Sequence, residues 1–270
     1  MTAPLSPART APHHRDTVLR LFCVPHAGGS ARAFRDWHRH APPGVEVVPL
    51  EPAGRGARAG VPAARSVREA ARDFAATVRA VAGRTPYVLL GHSMGALIAY
   101  EMVAAGEPKS LPEPALVVVS GRNPPHHQPA WTRRVLGLSD GELLAELRSL
   151  GSVPSGLSPS IAARFFLPAF RADLRMTLGH EPGERPWRTA PPLLVLMGRQ
   201  DPLVEGALMA EWGLHTVGSC TVVRHDGGHF ALYDRVPWLM ELIGSQLRRG
   251  EPGSPVPSGC SFDQGEGRGW

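Results

Sequence analysis

Residues 89–97 read LLGHSMGAL, with Gly91 and Gly95 each two residues from Ser93. The G-x-S-x-G spacing suits a strand that reverses sharply into a helix. Glycines without side chains let the two elements close on each other while the serine oxygen is pushed out at the strand's C-terminal end. The flanks agree: residues 86–90 are apolar and β-prone, and beyond the turn Met94, Leu97, Ile98 and Met102 recur at helical spacing with no intervening proline. In that context Ser93 is a candidate nucleophile rather than a small residue in a turn.

A serine hydroxyl is a weak nucleophile at neutral pH, so the reading requires a base and an orienting carboxylate further along the chain, acid first and then histidine. PPLLVLMGRQDPLV supplies the acid. Leu193 to Met197 form a buried-strand pattern, Gly198 breaks it, and Asp201 follows. In CTVVRHDGGHFAL the next strand spans 220–224, and His229 lies in the glycine-rich loop beyond it. His225 competes for the base role but sits at the strand end, with less freedom to reach across a sheet. Asp226 competes with Asp201, yet it lies three residues from His229 and suits a turn cap.

Acyl chemistry also needs two backbone N–H groups aimed at the oxygen on which negative charge develops. Met94, directly after the nucleophile, supplies one. The other is assigned to Ala27, in the small-residue loop His26-Ala27-Gly28-Gly29-Ser30 after a strand at 19–24. A phosphate cradle is excluded there, because a Walker-type loop requires G-x-x-x-x-G-K-[ST] and no lysine follows.

Composition places the chain among globular enzymes. Its 270 residues suffice for one large α/β core, 43% are hydrophobic, and no apolar run approaches the ~18 residues of a membrane span. The first residues lack the apolar core of a signal peptide, which predicts a cytoplasmic protein. Cys23, Cys220 and Cys260 have no metal-binding spacing, and an odd, sparse set argues against a disulfide framework. The net charge of +5 is carried by arginine, with Lys109 the single lysine. Basic runs interleaved with aromatics are missing, so nucleic acid is disfavoured, whereas a modest positive field favours an acidic protein partner.

Strands expected near 19–24, 45–50, 86–90, 115–119, 193–197 and 220–224 alternate with helical segments, which indicates a mainly parallel sheet wrapped by helices. Residues 1–17 and 251–270 are rich in Pro, Gly and Ser and are expected to be disordered tails around a domain spanning 18–250. About seventy residues separate the fourth and fifth strands, far more than a crossover helix needs, and predict an inserted helical lid over about 122–188. Ser139 and Glu142 have capping-box spacing at its first helix; Ser158 and Pro159 start a second, which Pro168 should kink. Phe165, Phe166, Leu167 and Phe170 either line an acyl pocket or pack on the main domain.

Together VPHAGGSARAF, GHSMGALIAYE, SGRNPP, LLAELRSLGSVPSGL, FFLPAFRADLRM, GRQDPLV and DGGHF resemble the type II thioesterases, free-standing α/β-hydrolases that accompany polyketide synthases and nonribosomal peptide synthetases. The likeness runs from about residue 19 to 245 and includes the lid. It implies the α/β-hydrolase fold, with nucleophile, acid and base on Ser93, Asp201 and His229 and oxyanion donors on Ala27 and Met94. It further implies an enzyme that edits stalled or misprimed modules by hydrolysing acyl groups from the phosphopantetheine of acyl or peptidyl carrier proteins; a monomer is expected by default, because no long apolar edge or heptad pattern asks for a partner. Neither a metal nor an organic cofactor is required, since the pantetheine belongs to the substrate. Phe165, Phe166 and Phe170 are the substrate-lining candidates, and Arg164, Arg171 and Arg175 are candidates for docking an acidic carrier. One departure is local: where the family carries a Pro-Gly-Arg-like turn, this chain has EPAGRGAR, with Ala53 before Gly54. A small-molecule esterase on the same fold is the alternative, and a noncatalytic module with a degenerate hydrolase fold is disfavoured because the triad candidates occur in order.

Overall fold

The computed structural model describes residues 18–104, 111–128, 130–153, 156–181, 189–249 and 260–263. Its centre is a wholly parallel sheet of strands β1 (Leu19–Val24), β2 (Val45–Pro49), β3 (Tyr87–His92), β4 (Leu116–Ser120), β5 (Leu193–Gly198), β6 (Cys220–His225) and β7 (Cys260–Asp263), in the order β2-β1-β3-β4-β5-β6-β7. Strands β3 and β4 are buried at every position. That burial explains why they read as continuous apolar runs rather than as an alternating pattern.

Helix α1 (Val67–Ala82) begins where Ser66 accepts the Glu69 N–H, and it turns Ala70, Ala71, Phe74 and Val78 toward the sheet. Helix α2 (Met94–Ala104) is buried on nearly all sides, lying between α1 and the sheet. On the opposite face α7 (Val236–Arg249) packs Val236, Leu239, Met240 and Ile243 against Leu21, Val88 and Val118. The order of β1, β3, β4 and β5 sets the site's position: their carboxyl ends form one rim, and the His26–Ser30 loop, the Ser93 turn and the Asp201 loop leave from β1, β3 and β5 along it.

Between β4 and β5 lie α3 (Ala130–Leu136), α4 (Asp140–Ser149), α5 (Pro159–Ile161) and α6 (Leu167–Leu178). Helix α4 carries the capping box read from Ser139 and Glu142, and Ser158 accepts the Ile161 N–H with Pro159 in the first turn of α5. Pro168 acts differently from a simple kink. The chain passes from α5 to α6 through a π-helical turn, Ala162–Phe166, in which the Leu167 N–H reaches back to the Ala162 carbonyl. That wider turn absorbs the hydrogen bond a proline cannot make.

Two expectations are revised at the C-terminal side. The stretch 251–270, expected to be a disordered tail, contributes Cys260–Asp263 as the edge strand β7 beside β6. Its four residues, CSFD, are too short for a periodicity signal, and their partner is supplied by tertiary pairing alone. Cys220, opposite Cys260 in the strand register, is disulfide-bonded, whereas Cys23 is a buried free thiol. The odd count therefore hid a paired cysteine. Residues 1–17 and 182–188, assigned to the N-terminal tail and the end of the lid, lie outside the described residues, as do 251–259 and 264–270.

Candidate active site

Ser93 is the single non-glycine residue with positive φ (57°) among the described residues. An L-residue rarely adopts that backbone, and here the surroundings enforce it. The Ser93 N–H donates to the Ser120 carbonyl at 2.7 Å, tying the turn to β4. A Cβ on Gly91 would collide with the Gly95 carbonyl, and one on Gly95 with the Val24 carbonyl of β1. Both glycines are therefore required by close approach, as the sequence pattern predicts.

The loop after β5 carries Asp201 and the loop after β6 carries His229, both about 5% exposed. His229 Nδ1 lies 2.8 Å from Asp201 Oδ2, and Asp201 Oδ1 accepts the Leu203 N–H at 2.9 Å. With the Nδ1 proton donated to the carboxylate, Nε2 is left as the acceptor. Ser93 and His229 line one cleft with His26, Ala27, Phe170 and Phe230; it encloses about 300 Å³, counting its open mouth. The competitors fall away. His225 Nδ1 faces the Asp226 carbonyl, and Asp226 pairs with Arg199 on the surface.

At the same cleft the Met94 N–H opens α2 and has no intrahelical acceptor. The Ala27 N–H has no acceptor among the described residues, although its neighbours Gly28 and Gly29 both donate. Two unengaged N–H groups thus flank the serine, an arrangement suited to receiving an oxyanion.

Four contributors were not foreseen in the sequence. Asp173, on α6, accepts the Gly28 N–H at 2.7 Å through Oδ2 and pairs with Arg55 at 2.5 Å through Oδ1. Arg55 in turn donates to the Gly29 carbonyl at 2.8 Å. The lid helix, the turn after β2 and the oxyanion loop are latched together by these contacts. Burial raises the Asp173 pKa, and the Arg55 charge opposes the rise. Phe170, Asp173, Leu174 and Thr177 share one buried face of α6, and a carboxylate on such a face was the available signal. The EPAGRGAR departure leaves Arg55 in place to make the latch.

His26 and Tyr233 are the other two. His26 Nδ1 lies 2.9 Å from the Tyr233 hydroxyl, and both rings meet His92 and Phe230 edge-on or tilted. Burial, followed by the neighbouring His229 and Arg55 charges, lowers the His26 pKa to about 3. His92, with Nδ1 3.1 Å from Ser120 Oγ, is also held well below the ordinary histidine range by burial. Two neutral imidazoles therefore surround His229, and neither adds charge when His229 takes a proton.

The lid aromatics separate. Phe170 is 4% exposed and lines the cleft; Phe166 stacks on it with centroids 5.7 Å apart and covers Gly28. Phe165 is 67% exposed beneath the Arg164 guanidinium, so its expected place in the pocket is corrected. Residues 166 and 170 are one helical turn apart, while 165 faces outward. Arg171 is likewise withdrawn from the docking set: it donates to the Leu136 and Leu138 carbonyls and to Asp140, holding α3 to the start of α4.

The thioesterase domain family matches residues 19–247. The chain is 33% identical over 246 residues to thioesterase PikA5 of Streptomyces venezuelae, covering 89% of this chain and 86% of that protein. It is 31% identical over 232 residues to gramicidin S biosynthesis protein GrsT of Aneurinibacillus migulanus, covering 85% and 89%. Among solved structures, the RedJ thioesterase from the prodiginine biosynthetic pathway of Streptomyces coelicolor superimposes with a TM-score of 0.75 at 31% identity, over 90% of this chain and 91% of its own.

Proposed function

This chain belongs to the thioesterase domain family and is a hydrolase of thioesters with the α/β-hydrolase fold, and from that premise we propose that Ser93, His229 and Asp201 strip acyl groups from the phosphopantetheine arm of carrier proteins. The observation that carries the residue assignment is the buried 2.8 Å His229–Asp201 bond at a cleft shared with a serine held at φ 57°.

His229 Nε2 takes the Ser93 proton as Oγ attacks the thioester carbonyl, and the Ala27 and Met94 N–H groups receive the oxyanion. The C–S bond breaks, and the departing sulfur takes the proton from His229. Water then gives a proton to Nε2 as it attacks the acyl-serine carbonyl, and when the C–O bond to Ser93 breaks Oγ takes that proton back from Nε2, releasing the free acid and restoring Ser93. Asp201 fixes the tautomer and supports the imidazolium. This chemistry requires no metal and no organic cofactor. Phe166 and Phe170 form the acyl-facing wall, and the exposed Arg164 and Arg175 are the arginines left to meet an acidic carrier. A cytoplasmic monomer that clears stalled or misprimed modules completes the reading.

The test offers the protein acyl-carrier proteins and matched free acyl thioesters and esters, with deacylation followed by intact-protein mass spectrometry. Preferential stripping of carrier-bound chains, lost by about three orders of magnitude or more in Ser93→Ala, is the expected result. Faster cleavage of simple esters, indifferent to the carrier, would replace it with the esterase reading.

A further inference from the structure

Away from the Ser93 cleft, a second group of polar side chains converges between the loop after β4 and the helical segment after β5. His126 Nε2 lies 2.8 Å and His127 Nε2 2.7 Å from the same oxygen of Glu211, Oε2. His126 Nδ1 is 2.7 Å from Nε2 of His215, whose Nδ1 is 3.0 Å from the Tyr100 hydroxyl. His215 is fully buried, and its hydrogen bond fixes the orientation of the His126 ring. The three potential ligand atoms, one each from His126, His127 and Glu211, lie within 4.8 Å of one another, and His126 is exposed to solvent.

We propose that His126, His127 and Glu211 bind one divalent transition-metal ion of the zinc class, completed by water, and that the ion clips the root of the lid to the segment after β5. Imidazole and carboxylate together suit Zn²⁺, Co²⁺, Ni²⁺ and Cu²⁺. At metal–ligand distances of ~2.0–2.2 Å, tetrahedral ligand atoms stand about 3.3 Å apart, so each nitrogen–oxygen contact needs to lengthen by only about half an ångström, and the two imidazoles adjust within the 4.8 Å that bounds the three atoms. The hydrogen-bond chain accepts the change. Without metal, His126 and His127 donate from Nε2 to Glu211, and His126 Nδ1 accepts from His215. With metal on Nε2, His126 carries its proton on Nδ1, donates it to His215 Nε2, and His215 donates from Nδ1 to the Tyr100 oxygen. Buried partners of this kind orient ligand rings in metal sites.

Other contacts hold both halves of the site in place. Trp212 Nε1, next to Glu211, donates to the Arg122 carbonyl at 3.0 Å, and Gln128, next to His127, donates to the His180 carbonyl after α6 at 2.7 Å. An ion here would tie the start of the lid to the core without entering the acyl cleft, because none of its ligands lines that cleft.

The test uses tag-free, chelator-treated full-length protein titrated with ZnCl₂ by calorimetry and with CoCl₂ by visible absorbance, beside a thermal melt. One equivalent per chain, a melt raised by Zn²⁺, and at least about tenfold weaker binding in Glu211→Gln and His127→Ala are expected. The outer-shell variant His215→Gln should weaken binding by about tenfold with unchanged stoichiometry. Circular dichroism checks that each variant is folded. Absence of a one-to-one event, or binding unchanged in Glu211→Gln and His127→Ala, would overturn the site.

Discussion

Replacing Asp173 with alanine should loosen the oxyanion loop from a distance. Arg55 would keep its charge at a place where its side chain is 14% exposed, and the Gly28 N–H would lose its acceptor. Breaking a buried ion pair from one side costs about 3–5 kcal/mol, and an orphaned backbone N–H costs about 1–3 kcal/mol. The two penalties do not add fully. Arg55 retains the Gly29 carbonyl, and the pair borders a second cleft beside Met94 that water can enter. About 3 kcal/mol is therefore the expected loss in urea unfolding. Loss of one oxyanion donor costs ~10²–10³ in kcat. Ala27 is adjacent to Gly28 and is displaced rather than removed, so about 10–100-fold in kcat with little change in KM is expected for a small acyl-pantetheine thioester. The double variant Arg55→Ala/Asp173→Ala leaves no uncompensated charge, so it should be more stable than the summed single losses predict, by about 1–3 kcal/mol. Single variants that each cost under about 1 kcal/mol, add without coupling, and keep wild-type kcat would refute the latch.

Three further outcomes follow from the same geometry. His26 and His215 have folded pKa values lowered to about 3 and about 4, so the unfolded chain binds more protons than the folded one below its ordinary value near 6.5. Their contribution is fully present above that value and is lost as pH falls toward 4 and then 3. Urea unfolding should weaken from pH 7 to pH 5, approaching about 1.4 kcal/mol per pH unit for each histidine at full slope, and a flat profile would contradict their burial as neutral rings. Phe170→Ala should cost about 3–5 kcal/mol and shift the acyl-chain profile toward bulkier groups. Phe165→Ala should stay within about 0.5 kcal/mol with an unchanged profile, and equal shifts in the two would remove Phe170 from the pocket wall. Ser93→Ala should remain folded, with a melting curve close to wild type, while losing turnover; an unfolded variant would mean that the turn depends on the hydroxyl.

What the sequence made legible is what local rules govern. The Ser93 turn, the strands at 19–24 and 193–197, the Ser139–Glu142 capping box and the Ser158–Pro159 helix start are each encoded within a few neighbouring residues, and the structure places them there. Asp201 and His229, the proposed acid and base, were legible because their loops follow strands that read as continuous apolar runs. Helix α3 escaped because AWTRRVL is only seven residues long, and the arginines dilute its apolar stripe. Strand β7 escaped because a four-residue edge in a Pro/Gly/Ser-rich stretch acquires its structure only by pairing with β6.

The remaining features share a different cause, and it bears on where specificity is set. Arg55 and Asp173 are 118 positions apart, His26 and Tyr233 207 apart, and His126 and Glu211 85 apart. No window of sequence contains both members of any pair, so only the crossover order of a parallel sheet brings them together. Of these contacts Arg55–Asp173 connects α6 to the loop after β1, His26–Tyr233 ties that loop to the segment after β6, and His126–Glu211 joins the loop after β4 to the segment after β5. Phe170 on α6 lines the cleft with Phe166 stacked on it, and Asp173 on the same helix holds the Gly28 N–H. The helix that shapes the acyl pocket thus also positions the loop that receives the oxyanion. A chain that displaces Phe170 must strain the Asp173–Gly28 bond, and a chain that fits leaves it intact. Discrimination among acyl groups should consequently register in kcat as well as in KM, because misfit at the pocket wall is transmitted to the transition-state donors through one rigid helix.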